Sequence, residues 1–348
     1  MKERRPSPII RADPQARLNA FRAEARSVPK PPQLSLATVH SQLVRDKSTG
    51  DFGADLGGGQ PRFLARAATT EGAINSVMNL KELKRALDCA VEAAREVGQL
   101  MRKNLGAVKK INEEQQHDIK LELDVRAQKM IEKRLQSEFI NISILGEEGV
   151  LGDQQAAARW VVDPIDGTVN FSYGIPHACV SIALQIRNTN VKRPRQNSFR
   201  EEYQTWVAVV YDPFCDELWT AIRGQPARLN GKITRASRRT KLKEAIVSLG
   251  FAKYPETLEA TLPTFNYLIH RVRKVRITGA AALAMVYVAS GRFDAYLESG
   301  VRLWDIAAGG LILESAGGEF WRRPLPGEHT YRIIANNGLL RRQLRART

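Results

Sequence analysis

The chain has 348 residues, 53 Lys and Arg against 37 Asp and Glu, a formal net charge of +16 and three cysteines. With 43% hydrophobic and 26% charged residues it has a globular composition, which excludes a collagen-like, wholly disordered or membrane-spanning chain. A strongly basic protein attracts polyanions whatever its fold, so the charge invites a nucleic-acid reading that depends on where the charges lie.

Residues 1–77 contain seven of the sixteen prolines, the triplet Gly57-Gly58-Gly59 and 12 basic against 7 acidic residues, with no lasting apolar stripe. Such a segment buries too little apolar surface to offset chain entropy. It is expected to be an extension, either disordered or added by an upstream start codon, ahead of a folded body at 78–348. The Arg-rich start lacks the apolar stretch of a secretion signal, and Glu3, Asp13 and Glu24 interrupt it where transit peptides are poor in acids. No run of about 18 uncharged apolar residues occurs, so no membrane span is expected. Cys89, Cys179 and Cys215 form no CxxC or Cys/His cluster, which argues against a disulfide framework or structural zinc and for a reducing, cytoplasmic setting.

From residue 78 the elements alternate. Leu80, Leu83, Leu87, Val91, Ala94, Val97 and Leu100 recur at steps of three and four, which predicts an amphipathic helix over 78–101. A second helix is expected over 123–139, with Val125, Ile131 and Leu135 inward. Strands are expected at 142–145, at 160–162 where Asp163-Pro164 would halt the strand, and at 178–186. The segment 187–200 carries five basic residues and no acid and reads as a solvated hairpin tip. A hairpin pair follows at 206–211 and 217–222, then a turn region at 224–231 and a strand at 245–250. Helices over 258–273 and 280–290, a strand at 293–297, a long apolar helix over 304–316 and a strand at 331–335 complete the series. The pattern predicts layered α/β architecture with mixed or antiparallel sheets.

Carboxylates recur where these elements end: Asp118 and Asp124 ahead of a helix, Glu147-Glu148 after a strand, Asp163 and Asp166 in one tight turn, and Asp305 opening the apolar helix. Each taken singly suits a helix cap or a solvated turn. Asp163-Pro164-Ile165-Asp166-Gly167-Thr168 is different, because two carboxylates this close repel unless they share a cation. Oxygen ligands with no His or Cys nearby suit Mg²⁺, and a helix starting near Thr168 would aim its N–H groups at an anion. The chemistry implied is metal-assisted hydrolysis of a phosphate ester.

The run Val161-Val162-Asp163-Pro164-Ile165-Asp166-Gly167-Thr168-Val169-Asn170-Phe171, with Trp304-Asp305-Ile306-Ala307-Ala308-Gly309-Gly310, resembles both signature motifs of the inositol monophosphatase family. Gly146-Glu147-Glu148 resembles that family's metal-binding turn. The resemblance implies a five-layer α-β-α-β-α sandwich, a homodimer, and hydrolysis of phosphate monoesters with about two to three Mg²⁺ ions. It assigns Glu147, Asp163, the Ile165 carbonyl, Asp166 and Asp305 to the metals. Thr168 and Asp124, with Glu147, would serve the attacking water, and the N–H groups of Gly167 and Thr168 would cradle phosphate.

Gly279, Ala280 and Ala281 match the small-residue turn lining the family's pocket, and Glu298 matches the acid that accepts sugar hydroxyls beside Asp305. That acid, with Val169-Asn170-Phe171, points to a phosphorylated polyol, inositol 1-phosphate first and histidinol phosphate or a broader set of sugar phosphates second. Three positions depart from the family pattern. Ile119-Lys120-Leu121 replace the Leu-Val-Thr that usually precedes the water-activating acid. A lysine found shortly before this motif in some members has only Lys109 or Lys110 as candidates, and Arg302 faces either substrate phosphate or solvent. The basic runs at 231–243, 271–276 and 341–347 are short and separated and no aromatics alternate with them, so nucleic acid is not expected as a partner.

Overall fold

A computed structural model describes residues 78–107, 111–115, 118–188, 202–251 and 255–345. The extension at 1–77, the tip of the basic segment and Lys109 and Lys110 lie outside the described residues.

The first helix, α1 (Leu80–Asn104), starts where Asn79 accepts N–H bonds from Lys81 and Glu82 while Glu82 takes the Asn79 N–H, a reciprocal cap. The stripe expected from its spacing is buried at Leu83, Ala94, Val97 and Leu100 and partly buried at Leu87 and Val91, but Leu80 lies before the first inward turn and is half exposed. A hairpin, β1 (Ile111–Gln115) with β2 (Asp118–Leu121), leads into α2 (Glu122–Glu138). The inward face of α2 is Asp124, Ala127, Gln128, Ile131 and Leu135, with Val125 only half-buried. Spacing alone therefore hides that two polar residues face inward there.

Next come β3 (Ser143–Gly146), β4 (Gly149–Leu151), β5 (Ala158–Asp166), α3 (Thr168–Ser172), β6 (Cys179–Arg187), β7 (Tyr203–Asp212), β8 (Glu217–Ile222), β9 (Arg228–Leu229) and β10 (Lys232–Ile233). They form one sheet in the order β10-β9-β8-β7-β6-β5-β3-β4, antiparallel except where β3 runs parallel to β5. Then β11 (Ile246–Leu249), α4 (Pro255–Ile269), β12 (Lys274–Arg276), α5 (Ala281–Ala289), β13 (Ala295–Arg302), α6 (Leu303–Ser315), β14 (Glu319–Pro324), β15 (Thr330–Asn336) and α7 (Arg341–Arg345) follow. Their strands make a mixed sheet ordered β12-β11-β13-β15-β14.

Alternation along the strands sorts the layers. Trp160, Val162, Ile182, Leu184, Val207 and Val209 point to α1 and α2, while Val161, Cys179, Ala183, Ala208 and Val210 point to α5 and α6. The second face is small because two apolar helices lie on it, and those helices also cover Tyr296, Ile333 and Ala335 of the smaller sheet. The far face of that sheet buries Leu297 and Ile334 with Leu268 of α4 and Leu344 of α7. The order is thus α1/α2, large sheet, α5/α6, small sheet, α4/α7, the five-layer sandwich the motifs imply.

Two strands outrun their expected bounds. β5 does not stop at Asp163-Pro164 but continues to Asp166. Its register against β6 slips by one residue between Asp163 and Asp166, so Pro164 sits in a bulge where no ladder N–H is needed. β13 continues past Leu297 to Arg302, with an irregularity between Ser299 and Val301.

Candidate active site

The bulge gives β5 its chemistry. The Ile165 N–H, released from the ladder, donates to Asp163 Oδ1 at 3.0 Å, and Thr168 Oγ1 donates to the Ile165 carbonyl at 2.9 Å. Asp163 and Asp166 end up buried on a strand end, 1% and 7% exposed. Gly167 turns the chain into α3 with φ of 91°, and a Cβ there would lie 2.9 Å from the His177 carbonyl and 3.1 Å from the Ala280 Cβ. Glycine is required on both counts, and the contact lays the 279–281 segment directly on the turn.

Asp166 carries a second duty. Its Oδ1 accepts the Ala281 N–H at 3.0 Å and its Oδ2 the Ala282 N–H at 2.7 Å, so it also anchors the start of α5. Asn170 fixes the same junction from α3, donating to the carbonyls of His177 at 2.9 Å and Thr278 at 2.8 Å.

The other acids arrive from helix starts and one turn. Asp124 and Asp305 are the third residues of α2 and α6. Asp124 Oδ2 accepts the Leu121 N–H at 2.9 Å, and Asp305 Oδ2 accepts the Arg302 N–H at 2.8 Å. The N-termini of α2, α5 and α6 therefore all present carboxylate-bonded N–H groups, the favourable end of each helix dipole. Ser181 of β6 donates to the Trp304 carbonyl at 3.1 Å and ties α6 to the large sheet. Glu147 sits on the turn between β3 and β4, its N–H bonded to the Val162 carbonyl at 3.1 Å.

Charge shows how these acids converge. Burial pushes the Asp163 carboxyl well above its ordinary range, and the charges of Glu147, Asp166, Asp305 and Asp124 push it further. Burial likewise raises Asp166, to about 6, against the lowering effect of the Ala282 and Ala281 N–H groups, with Glu147 adding to the rise. Among the described residues no three such side chains close on one point as a cage for a metal ion. The donor set nonetheless fits Mg²⁺: several buried carboxylates and one strand carbonyl, all oxygen, holding negative charge that a divalent cation would offset.

On the substrate side, Glu298 of β13 accepts a hydrogen bond from Tyr296, two residues earlier on the same face. The Tyr296 hydroxyl is held well above its usual range, first by burial and then by the charges of Glu298, Asp166 and Asp305. Tyr296 thus contacts Glu298 and lies within electrostatic reach of Asp166 and Asp305. Hydrogen bonds and contacts join Asp163, Ile165, Asp166, Gly167, Thr168, Ala280 and Ala281 at the bulge; Glu147, Asp305 and Asp124 are near enough for their charges to act on Asp163, Gly279 lies beside Asn170, and Glu298 is bonded to Tyr296. Arg302 is directed elsewhere, its guanidinium donating to the Glu328 carbonyl at 2.6 Å and to Thr330 Oγ1 at 2.7 Å.

Sequence reasoning missed Gln128 and Tyr296. The Gln128 carboxamide accepts the Glu148 N–H at 2.8 Å and donates to the Gly149 carbonyl at 3.0 Å, and a Cβ on Gly146 would collide with it. It holds the turn that carries Glu147. The available signal was its place four residues after Asp124; for Tyr296 it was the strand period that pairs it with Glu298.

Comparison with known proteins agrees with this geometry. The family model described as inositol monophosphatase family matches residues 82–341. A relative named Nus factor SuhB from Haemophilus influenzae is 36% identical over 67% of this chain and 83% of its own. Inositol monophosphatase 1 of Solanum lycopersicum is 35% identical over 68% of this chain and 84% of its own. The solved inositol monophosphatase from Anabaena superposes with a TM-score of 0.63 at 32% identity, covering 76% of this chain and 94% of that one.

Proposed function

The chain belongs to the inositol monophosphatase family, and on that premise we propose that it is an Mg²⁺-dependent phosphoric monoester hydrolase acting on a phosphorylated polyol. The observation that carries this reading is the buried Asp163–Asp166 pair, raised by burial and by the charges of its neighbours. Glu147, Asp163, the Ile165 carbonyl, Asp166 and Asp305 would hold the ions. When bound, Mg²⁺ supplies Lewis acidity at phosphorus and neutralises charge on the leaving oxygen.

The chain's own groups do the rest. Thr168 has spent its hydroxyl proton on the Ile165 carbonyl, so its oxygen is left to accept a hydrogen bond from water and orient it. Asp124 is the carboxylate assigned to take the proton from that water, and the N–H groups of Gly167 and Thr168 receive phosphate oxygens. Glu298, oriented by Tyr296, accepts polyol hydroxyls. No nucleophilic cysteine is needed: burial, and then the charge of Asp166 beside it, push the Cys179 thiol well above the usual range.

Inositol 1-phosphate is the favoured substrate, with histidinol phosphate or a broader range of sugar phosphates as the alternative. The catalytic body is assigned to 78–348, working as a homodimer in the cytoplasm; among the described residues no helix is long and apolar enough to cross a membrane. A panel of inositol 1-phosphate, histidinol phosphate, fructose 1,6-bisphosphate and 3′-phosphoadenosine 5′-phosphate, assayed with Mg²⁺, tests the choice. Fastest turnover of the nucleotide would overturn the polyol assignment and leave the metal site standing.

The relative named Nus factor SuhB favours a second reading, a binding factor whose net charge of +16 contacts a polyanion. That reading predicts nucleic-acid binding that falls steeply with salt in a protein releasing no phosphate from any ester.

A further inference from the structure

The outer face of the small sheet carries an arrangement that phosphomonoester hydrolysis does not use. Arg332 of β15 stands directly opposite Arg323 of β14 on one side and Ser299 of β13 on the other, and residues so paired share a face. Arg332, Ser299 and Glu298 line a cleft closed by Thr261 and Thr264 of α4. Both threonines are 7% exposed. Thr261 donates to the Thr257 carbonyl at 2.8 Å, but the Thr264 hydroxyl donates no hydrogen bond among the described residues.

Like charges directly opposite one another cost stability, and a partly buried guanidinium costs more unless it is paired. Among the described residues, neither Arg332 nor Arg323 has an ion-pair or hydrogen-bond partner for its guanidinium, and Glu298, the one acid lining the cleft, accepts a hydrogen bond from Tyr296 on the opposite face of the sheet. Burial, and then the charge of Arg323, hold Arg332 below the usual arginine range. The half-buried Arg332, unneutralised opposite the exposed Arg323 and sharing the cleft with the buried residue Thr264, is a donor set without its acceptor. Arg supplies a planar fork matched to phosphate oxygens, and Thr264 a further O–H.

We propose that this cleft is an anion subsite that receives a phosphate group. The group is either a second phosphate on a polyol, a source that rests on the function proposed above, or free phosphate.

Two measurements on the full chain and its Arg332→Ala and Arg332→Lys variants test this. The first compares KM for polyol monophosphates and bisphosphates. For a substrate-borne phosphate, Arg332→Ala raises KM for the bisphosphate about tenfold at unchanged monophosphate KM and kcat, and Arg332→Lys restores part of the loss. The second is calorimetric titration with inorganic phosphate in the absence of Mg²⁺, which needs no turnover and so reads the subsite even if the hydrolase assignment fails. A phosphate site present in the parent and lost in Arg332→Ala, with unchanged thermal unfolding, supports the free-anion source. Unchanged bisphosphate KM together with unchanged phosphate binding in Arg332→Ala would overturn the subsite. So would an equal rise in KM for both substrate classes, which would mark Arg332 as merely structural.

Discussion

Asp166 shows how one residue can serve two purposes. Its carboxylate accepts two backbone N–H groups from the start of α5 while sharing a buried site with Asp163. Its acid is raised from 3.8 to about 6, so without metal the folded chain holds a proton there that the unfolded chain has released. Between these two values the folded state binds more protons, so the stability of the metal-free protein falls as pH rises through that window. Mg²⁺ competes with the same protons and stabilises the fold by mass action. The expected result is a rise in unfolding temperature on adding Mg²⁺ that is larger at pH 7.5 than at pH 5, read by circular dichroism. A rise of equal size at both pH values would show that these carboxylates do not bind the ion. Asp163, Asp166 and Thr168 were legible in the sequence because they are contiguous: a six-residue run states its own geometry. Tyr296 was not, since a tyrosine in a strand reads as core and its link to Glu298 becomes visible only when alternation puts both on one face.

At the scale of elements, the site is assembled from strand ends and helix starts. β5 carries its acids past Pro164 only because a bulge absorbs the residue that cannot donate to the ladder. The expectation of a strand ending at 162 took proline as a stop, which holds for a regular ladder and fails at a bulge. The turn between β3 and β4 is held by Gln128, whose carboxamide bonds both sides of it. Residues that orient metal ligands commonly cost 10-fold to 100-fold in affinity or activity when lost, on an order-of-magnitude scale. Gln128→Ala should therefore raise the Mg²⁺ concentration for half-maximal activity by about tenfold or more, with little change in KM for the phosphate ester at saturating Mg²⁺. A shift in substrate KM alone would place Gln128 outside the metal-holding turn. Most helices were readable from apolar spacing, as α1 and α6 show. The hairpin of β1 and β2 and the strand β14 were not, because short polar strands have too few apolar positions to display a period of two.

The whole molecule is a stack of five layers in which the central helices α5 and α6 serve both sheets. The site lies where the starts of those two helices meet β5 of the large sheet, so it depends on the middle layer being correctly docked on its neighbours. Small residues make that docking close: Ala183 and Ala208 beneath the helices, and Ala282, Ala284, Ala307 and Ala308 on them. The layer order was implied by the motifs and not by the alternation of elements, which predicts an α/β stack without saying which helices are shared. The net charge of +16 is a sum over the whole chain, and such a surplus attracts anions, which suits the small anionic substrate proposed above. The Asp163–Asp166 pair is proposed to hold Mg²⁺ for phosphate-ester hydrolysis. The most direct test is phosphate release from inositol 1-phosphate by the purified full chain, with Mg²⁺ and with chelator, beside an Asp166→Asn variant whose fold is checked by circular dichroism. Release is expected to require Mg²⁺ and to be abolished by the substitution; undiminished Mg²⁺-dependent release from a folded Asp166→Asn protein would contradict that role for the pair.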